Sequence, residues 1–460
     1  MYAAVNTMES RREYPAPMNR ISDRKGAQMR MSKKQCAEQC REYLIPGRMA
    51  AFENMGVMPI LASAEGYRFR DMNGSEFQDF HLNGGTFNLG HRNPQLLKTL
   101  RRNFRQIGIG NHHFASKSRA ELAKRLAATV PGLKYTVFTT SGSEANDVAI
   151  KSARWATRRK KIVSLAVGYH GRSGLSGAAG DADNAKFFLS SMSEDFRTVP
   201  FNDLDSMETA LKSRDVAAVI LESLPATYGF QCPEPGYFRA LSGICRRYGT
   251  LYIADEVQTG MGRTGALWSI SALGIEPDIL VTAKGLSGGI YPIAAAVLSE
   301  RAGAWLKENG WGHVSTFGGA DVACRIGLQA LDLCADPTNL EHASTVAAYL
   351  RAGIAEIQSR TGYLKNIHGI GLAMGLEFDS PSGGVDMMKA LYDRGLWAMF
   401  ASFNSSVLQF KPGFLVDFAY CDEALQRLED AVQAVKLQPR GRSIKLAGGL
   451  DHPSAAATAA

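Results

Sequence analysis

Two charged residues standing at the ends of apolar runs are the first candidates for chemistry. Leu251 to Ala254 leads into Asp255, and Ile279 to Thr282 leads, by way of Ala283, to Lys284. Short apolar runs with turn-forming residues on either side read as strands buried on both faces. Removing a lone carboxylate or ammonium from water is costly, so two of them at such strand ends point to a common purpose. The carboxyl ends of strands are also where open α/β sheets bind ligands.

A partly desolvated lysine is neutral often enough to attack a carbonyl and form a Schiff base. A carboxylate facing it can keep a pyridinium nitrogen protonated. Those are the two demands that pyridoxal phosphate makes of a protein. A buried structural ion pair accounts for the same residues, and on these alone both readings stand.

Other strand ends carry further groups. Tyr135 to Phe138 reads as a strand and is followed by TTSGSEAND. Ser141 with Glu144 fits the S-x-x-E capping box and Gly142 permits a tight turn. Ser141, Ser143 and the first N–H groups of the helix then offer donors to a phosphate. An ordinary capped helix has the same local pattern. Lys161 to Leu165 leads to Gly168-Tyr169-His170-Gly171, where a ring between glycines can lie over a planar group. Read singly, Tyr169 is a core aromatic and His170 a satisfied turn histidine. Val216 to Leu221 delivers Glu222.

Such groups need a scaffold that gathers several strand ends. Strands separated by helices between Tyr135 and Leu298 imply a largely parallel sheet with right-handed crossovers, so the fold class is α/β. Ahead of it, Lys33 to Tyr43 reads as a helix ended by Ile45, Pro46 and Gly47, and Pro59 to Phe80 as an antiparallel hairpin. A long helix from Leu340 to Arg360 opens a different texture. It is followed by strands over Ile367 to Phe378, a helix near Asp386 to Arg394, a strand around Val407 to Lys411 and a closing helix from Asp422 to Lys436. The expected organisation is a disordered extension over 1–32, a first segment of a smaller α+β domain over 33–85 and a large domain over 86–335. The rest of the smaller domain then spans 336–437, and a disordered tail 438–460.

Bulk properties remove several function classes. The net charge of +8 is scattered over tails and helix faces, without a helix-turn-helix, zinc-finger or RNA-binding pattern, so nucleic acid is not an expected partner. No apolar run approaches the roughly 20 residues of a membrane helix. The basic N-terminal stretch has no apolar core, which argues against a secretory signal and leaves an organelle presequence open. Seven cysteines without a C-x-x-C pair point to free thiols in a reducing, cytoplasmic setting. Cys36 and Cys40 lack neighbouring ligands, so no metal is expected.

Taken together, TSGSEAN, YHGR, DEVQTGMGRTG, the DILVTAK strand and HVSTFGG occur in one order, and that series resembles the class III pyridoxal-phosphate aminotransferases of fold type I. The likeness runs from about residue 45 to 436. It implies a large domain with a mostly parallel seven-stranded sheet flanked by helices, and a smaller α+β domain built from the N-terminal segment and the C-terminal part. By resemblance Lys284 would carry the cofactor and move the substrate's proton, Asp255 would bind the pyridinium nitrogen, and Tyr169 would stack on the ring with His170 also in contact. Gln258 would approach the phenolic oxygen, Ser141, Gly142 and Ser143 would hold the phosphate, and Glu222 would support the site. Thr316 would reach the phosphate of the neighbouring subunit, so a homodimer with shared active sites is implied.

The same resemblance exposes two departures. Many members grip a substrate carboxylate with an arginine before a Pro-Pro-Leu turn; the matching stretch is VLQFKPGF, with Gln409 in that place. A glutamate that masks this arginine in some members is matched by Thr227. Lys411 is the one cation between Arg394 and Arg427, and either meets a carboxylate as a point charge or faces solvent. The expected reaction is therefore transfer from a terminal amine (an ω-amino acid, a diamine or a biosynthetic amine) to a 2-oxo acid by a ping-pong route. A racemase, an aminomutase or a decarboxylating transaminase would use the same constellation; a non-catalytic binding protein on the same fold is the other alternative, and the intact set Lys284, Asp255, Gln258 and Thr316 argues against it.

Overall fold

The computed structural model describes residues 31–190 and 194–437. The expected tail over 438–460 lies outside the described residues, as does the expected extension apart from Met31 and Ser32.

The central sheet has seven strands in the order Leu133–Thr139, Ala294–Ser299, Ile279–Thr282, Leu251–Asp255, Val216–Glu222, Lys161–Leu165 and Phe196–Val199. Ala294–Ser299 runs antiparallel to both neighbours, and the pairs beyond it are parallel. In the middle strands every residue is buried, which is why their sequences are continuous apolar runs instead of alternating ones. Their side chains still alternate between two cores. Val219, Leu221, Tyr252, Ala254 and Leu280 pack into one, while Ala218, Ile220, Ile253, Ile279 and Val281 pack into the other. Each fully buried aliphatic side chain of this kind stabilises the fold by about 1.5–3 kcal/mol, so the strand ends are rigid mounts.

Two four-stranded sheets flank this one. The N-terminal strands Leu61–Glu65, Arg68–Asp71 and Glu76–Asp79 form an antiparallel series, and the last pairs in parallel with the distant Leu396–Trp397. The other joins Leu364–His368, Met374–Phe378, Asn404–Phe410 and Met399–Ala401. Leading and closing parts of the chain therefore share hydrogen bonds.

Several element boundaries differ from expectation, among them the closing helix, which begins at Phe418 where Asp417 caps it, and not at Asp422. Pro46 does not merely end a helix; after Lys33–Tyr43 it opens a second one, Pro46–Asn54, at the first-turn position where its missing N–H costs nothing. The long helix begins earlier, at Pro337, because Asp336 caps it by accepting from the N–H groups of Thr338 and Asn339.

Candidate active site

A cavity of about 460 Å³ opens at the carboxyl ends of the central strands, and Ser141, Gly142, Tyr169, Asp255, Gln258 and Lys284 are in its wall. They arrive from the ends of four strands: Ser141 and Gly142 after Leu133–Thr139, Tyr169 after Lys161–Leu165, Asp255 and Gln258 at the end of Leu251–Asp255, and Lys284 after Ile279–Thr282. Ser141 caps the Gly142–Thr157 helix, accepting from Glu144 N at 3.2 Å. The Glu144 carboxylate reaches past the cap and accepts from Thr140 N at 2.8 Å and Thr140 Oγ1 at 2.9 Å, so only half of the expected capping box forms. The first N–H groups of the helix are left facing the cavity, an anion-binding arrangement with the positive end of the helix dipole behind it. Glycine is required at Gly171, where φ is +127 and a Cβ would lie 2.9 Å from Ser143 Cα, while one on Gly142 would sit tightly against Val257 at 3.2 Å.

Asp255 ends its strand fully inside the protein. Its Oδ2 accepts from Asn146 Nδ2 at 2.8 Å and stands 2.8 Å from His170 Nδ1, and its Oδ1 accepts from Val257 N at 3.1 Å. A carboxylate only accepts, so the His170 proton sits on Nδ1. Asn146 also donates to His170 O at 2.7 Å, locking the histidine backbone and the aspartate together. His170 is therefore more than a satisfied turn residue; its Nε2 is buried and unpartnered.

Glu222 lies beside Asp255 on the adjacent strand, and accepts from Tyr169 N at 3.0 Å and Ala226 N at 3.3 Å. Burial, and then the charge of Asp255, push its carboxyl up to about 7, against the opposing pull of His170 and the two N–H donors.

Lys284 follows its strand in a left-handed backbone conformation with φ +36, strain of about 1–3 kcal/mol that the packed strand beneath it sustains. Desolvation lowers its pKa, while Asp255 and Glu222 pull the other way. The side chain keeps some surface, and that surface faces the cavity. Its methylenes rest on Gly84, where a Cβ would come within 2.9 Å of Lys284 Cε.

The sequence pattern had singled out neither Asn146 nor the Leu82–Gly85 turn. Asn146 sits inside a quoted motif but has no spacing that marks it as a ligand. Leu82, Asn83, Gly84 and Gly85 take four successive positive φ values, of 52, 49, 70 and 93, and form a left-handed turn against Lys284. Only the Gly84-Gly85 pair hinted at it.

The three expected substrate residues lie behind the wall and do not line it. Gln409 and Lys411 are 5% and 2% exposed, and Thr227 has a buried, unpartnered Oγ1. Lys411 Nζ donates to Gln409 Oε1 at 2.7 Å, so the solvent-facing alternative is excluded. Thr316 is exposed and absent from this cavity's wall. Among the described residues no cluster of His, Cys, Asp or Glu could hold a metal, all seven cysteines are free, and no helix is long and apolar enough to cross a membrane.

The aminotransferase class-III family model matches residues 51–432. The chain belongs to the class III aminotransferases. An uncharacterized aminotransferase of Archaeoglobus fulgidus is 38% identical over 405 residues, covering 88% of this chain and 95% of that one. In structure, this aminotransferase is similar to the ornithine aminotransferase of Toxoplasma gondii, which holds pyridoxal phosphate at partial occupancy. The TM-score is 0.80 at 25% identity, over 89% of this chain and 96% of that one. The N-acetylornithine aminotransferase of Stenotrophomonas maltophilia matches with a TM-score of 0.72 at 27% identity, over 82% and 96% of the two chains.

Class III aminotransferases use pyridoxal phosphate, and the cavity of this one suits it. A helix N-terminus is open to the phosphate, Val257 supplies an apolar wall and Asp255 an acceptor for a ring N–H, and Lys284 is desolvated within reach of the same space.

Proposed function

We propose that this aminotransferase takes its amino group from a terminal amine, such as an ω-amino acid, a diamine or a biosynthetic amine, and passes it to a 2-oxo acid in a ping-pong cycle. The observation that carries the reading is the neutral pair Gln409 and Thr227, at positions where the family resemblance implies an arginine and its masking glutamate in other members. Gln409 cannot make a forked ion pair with a carboxylate, and its Oε1 is already engaged by Lys411 at 2.7 Å.

Within this reading the residues divide the work. The N–H groups of Gly142 and Ser143, with Ser141, hold the phosphate. Asp255, backed by Asn146 and His170, holds the ring nitrogen; Tyr169 lies against the ring, and Gln258 donates to its phenolic oxygen. When bound, pyridoxal phosphate supplies an electron sink for the bonds at the substrate's amine-bearing carbon. Lys284, whose charged form burial disfavours, would anchor the cofactor and move the proton at that carbon. Glu222 holds the Tyr169 backbone in place from beneath.

The active unit in this proposal is a homodimer. Thr316 lies among exposed Trp311, Val314 and Phe317, and the Trp311 ring stands 5.2 Å from His113, next to exposed Phe114. An apolar patch of this kind suits a second copy, whose phosphate site Thr316 would then complete.

Mixing the cofactor-loaded protein with single amines, and following the visible absorbance, tests the donor. Terminal amines, putrescine and an ω-amino acid among them, should convert it. Conversion by glutamate or alanine reports the acceptor half of the cycle run in reverse, and conversion by α-amino acids alone, with no terminal amine active, would reject the terminal-amine reading.

A further inference from the structure

Lys411 follows the Asn404–Phe410 strand, and its N–H donates to Phe80 O at 2.9 Å, pinning that strand end beside the end of Glu76–Asp79. Its side chain is among the largest fully buried ones. The Nζ meets two amide oxygens, Gln409 Oε1 at 2.7 Å and Gln258 Oε1 at 3.5 Å, with the Phe230 ring centre at 5.7 Å. Among the described residues its hydrogen-bond partners are these amides and not a carboxylate. Burial, and then the charges of Arg263 and Lys284, hold its pKa well below that of a free lysine, while Asp79 and Glu222 pull the other way.

An ammonium donates and cannot accept, and even a neutral amine keeps two N–H groups for two oxygens. The 3.5 Å contact is long for a hydrogen bond. It is still short enough that the oxygen end of the Gln258 amide, and not its N–H end, is the one that faces Lys411. The Nε2 hydrogens of Gln258 then point the other way, and Gln258 lines the cavity.

We propose that Lys411 is a positioning residue for transamination: it holds the Gln258 amide with its N–H donors turned into the cavity. The inference rests on the placement of Gln258 beside the cofactor's phenolic oxygen given above. That oxygen then meets an oriented N–H donor, which favours loss of the proton carried on that side of the cofactor and moves its titration to lower pH. The basic side chain that the chain lacks at Gln409 thus enters two residues later, and it acts on the cofactor side of the site instead of on a substrate carboxylate.

The test is the pH titration of the visible absorbance of the cofactor-loaded enzyme, for wild type, Lys411→Met, Gln258→Leu and the double variant. Methionine fills much the same volume without a charge. The expected result is a midpoint raised by about 0.5–1 pH unit in Lys411→Met, with no further change when the substitution is added to Gln258→Leu. A wild-type midpoint in a Lys411→Met protein that binds the cofactor normally would overturn the proposal. Equal shifts in both backgrounds would also overturn it, because Lys411 would then act as a bare charge and not through the amide. Should Lys411→Met not fold, Lys411→Leu takes its place in both backgrounds and is read by the same outcomes. A wild-type protein without any visible band dependent on Lys284 would instead sink the reading of the site, a separate failure.

Discussion

Glu222 and Asp255 stand side by side, in register on neighbouring parallel strands, with both carboxyls buried. The pair has opposite consequences for its members: Asp255 is surrounded by three N–H donors, while Glu222 is the one whose ionisation the folded protein resists. With its carboxyl at about 7 against an ordinary 4.5, the folded state keeps a proton that the unfolded chain has lost. Stability from this group is thus full below 4.5 and declines as the pH rises toward 7, by an amount on the order of 3 kcal/mol. Denaturant midpoints of wild type and Glu222→Gln between pH 5 and 8 should show a steeper fall with pH for wild type. Parallel curves would remove Glu222 as the source.

Asp255→Asn keeps the shape of the side chain and removes its charge. With the proposed role at the ring nitrogen, kcat should fall by about 100- to 1000-fold while the protein stays folded. Asn146→Ala, which removes one of the donors to Asp255, should cost less, about tenfold. Steady-state kinetics on both variants checks the ranking; an Asn146→Ala enzyme more impaired than Asp255→Asn would invert the assigned roles.

Borohydride trapping tests Lys284 directly, because it fixes pyridoxal phosphate on the amine that holds it. Peptide mapping should find the added mass on the peptide containing Lys284, and Lys284→Ala should show neither that adduct nor turnover. Unchanged turnover in Lys284→Ala would contradict the mechanism at its first step.

The left-handed turn offers a more local test. Gly84 has φ +70, and a methyl group there would press on Lys284 Cε at 2.9 Å and approach Gln258 Oε1 at 3.7 Å. Gly84→Ala should destabilise the protein by about 1–2 kcal/mol and reduce kcat at least about tenfold by displacing the lysine. Full activity would mean that Lys284 has room the packing does not show.

What could be read in the chain follows from how locally each feature is encoded. Asp255 and Lys284 were legible because continuous apolar strands announce themselves and a charge at the end of each is conspicuous. The helix cap at Ser141 was legible for the same reason. Asn146 was not, since its partners Asp255 and His170 lie on another strand and in the loop after Lys161–Leu165, and its own helix carries no trace of them. Lys411 divided evenly between solvent and site because burial of a residue just past a strand end depends on which element covers it. That element is Phe80, more than three hundred residues earlier, and the hydrogen bond from Lys411 N is the contact that joins them. The turn at Leu82 was hidden because leucine and asparagine rarely adopt positive φ, so nothing beyond the glycine pair suggested it.

Subunit complementation addresses the proposed dimer and Thr316 together. If Thr316 serves the neighbouring copy, then Thr316→Asp places a negative charge against a phosphate held by the other chain, and each Thr316→Asp homodimer should be impaired at both sites. Lys284→Ala homodimers should be inactive. After co-refolding equal amounts, half of the dimers are mixed, and each of these unites the intact Lys284 of one chain with the intact Thr316 of the other at one site. About a quarter of wild-type activity should return. Were Thr316 to act within its own chain, each chain of the mixed dimer would still carry its own defect, and the mixture would show no more than the average of the two parent homodimers. Sedimentation at the same concentrations shows whether the chains pair at all, so a failure to dimerise is distinguished from a threonine that serves its own site.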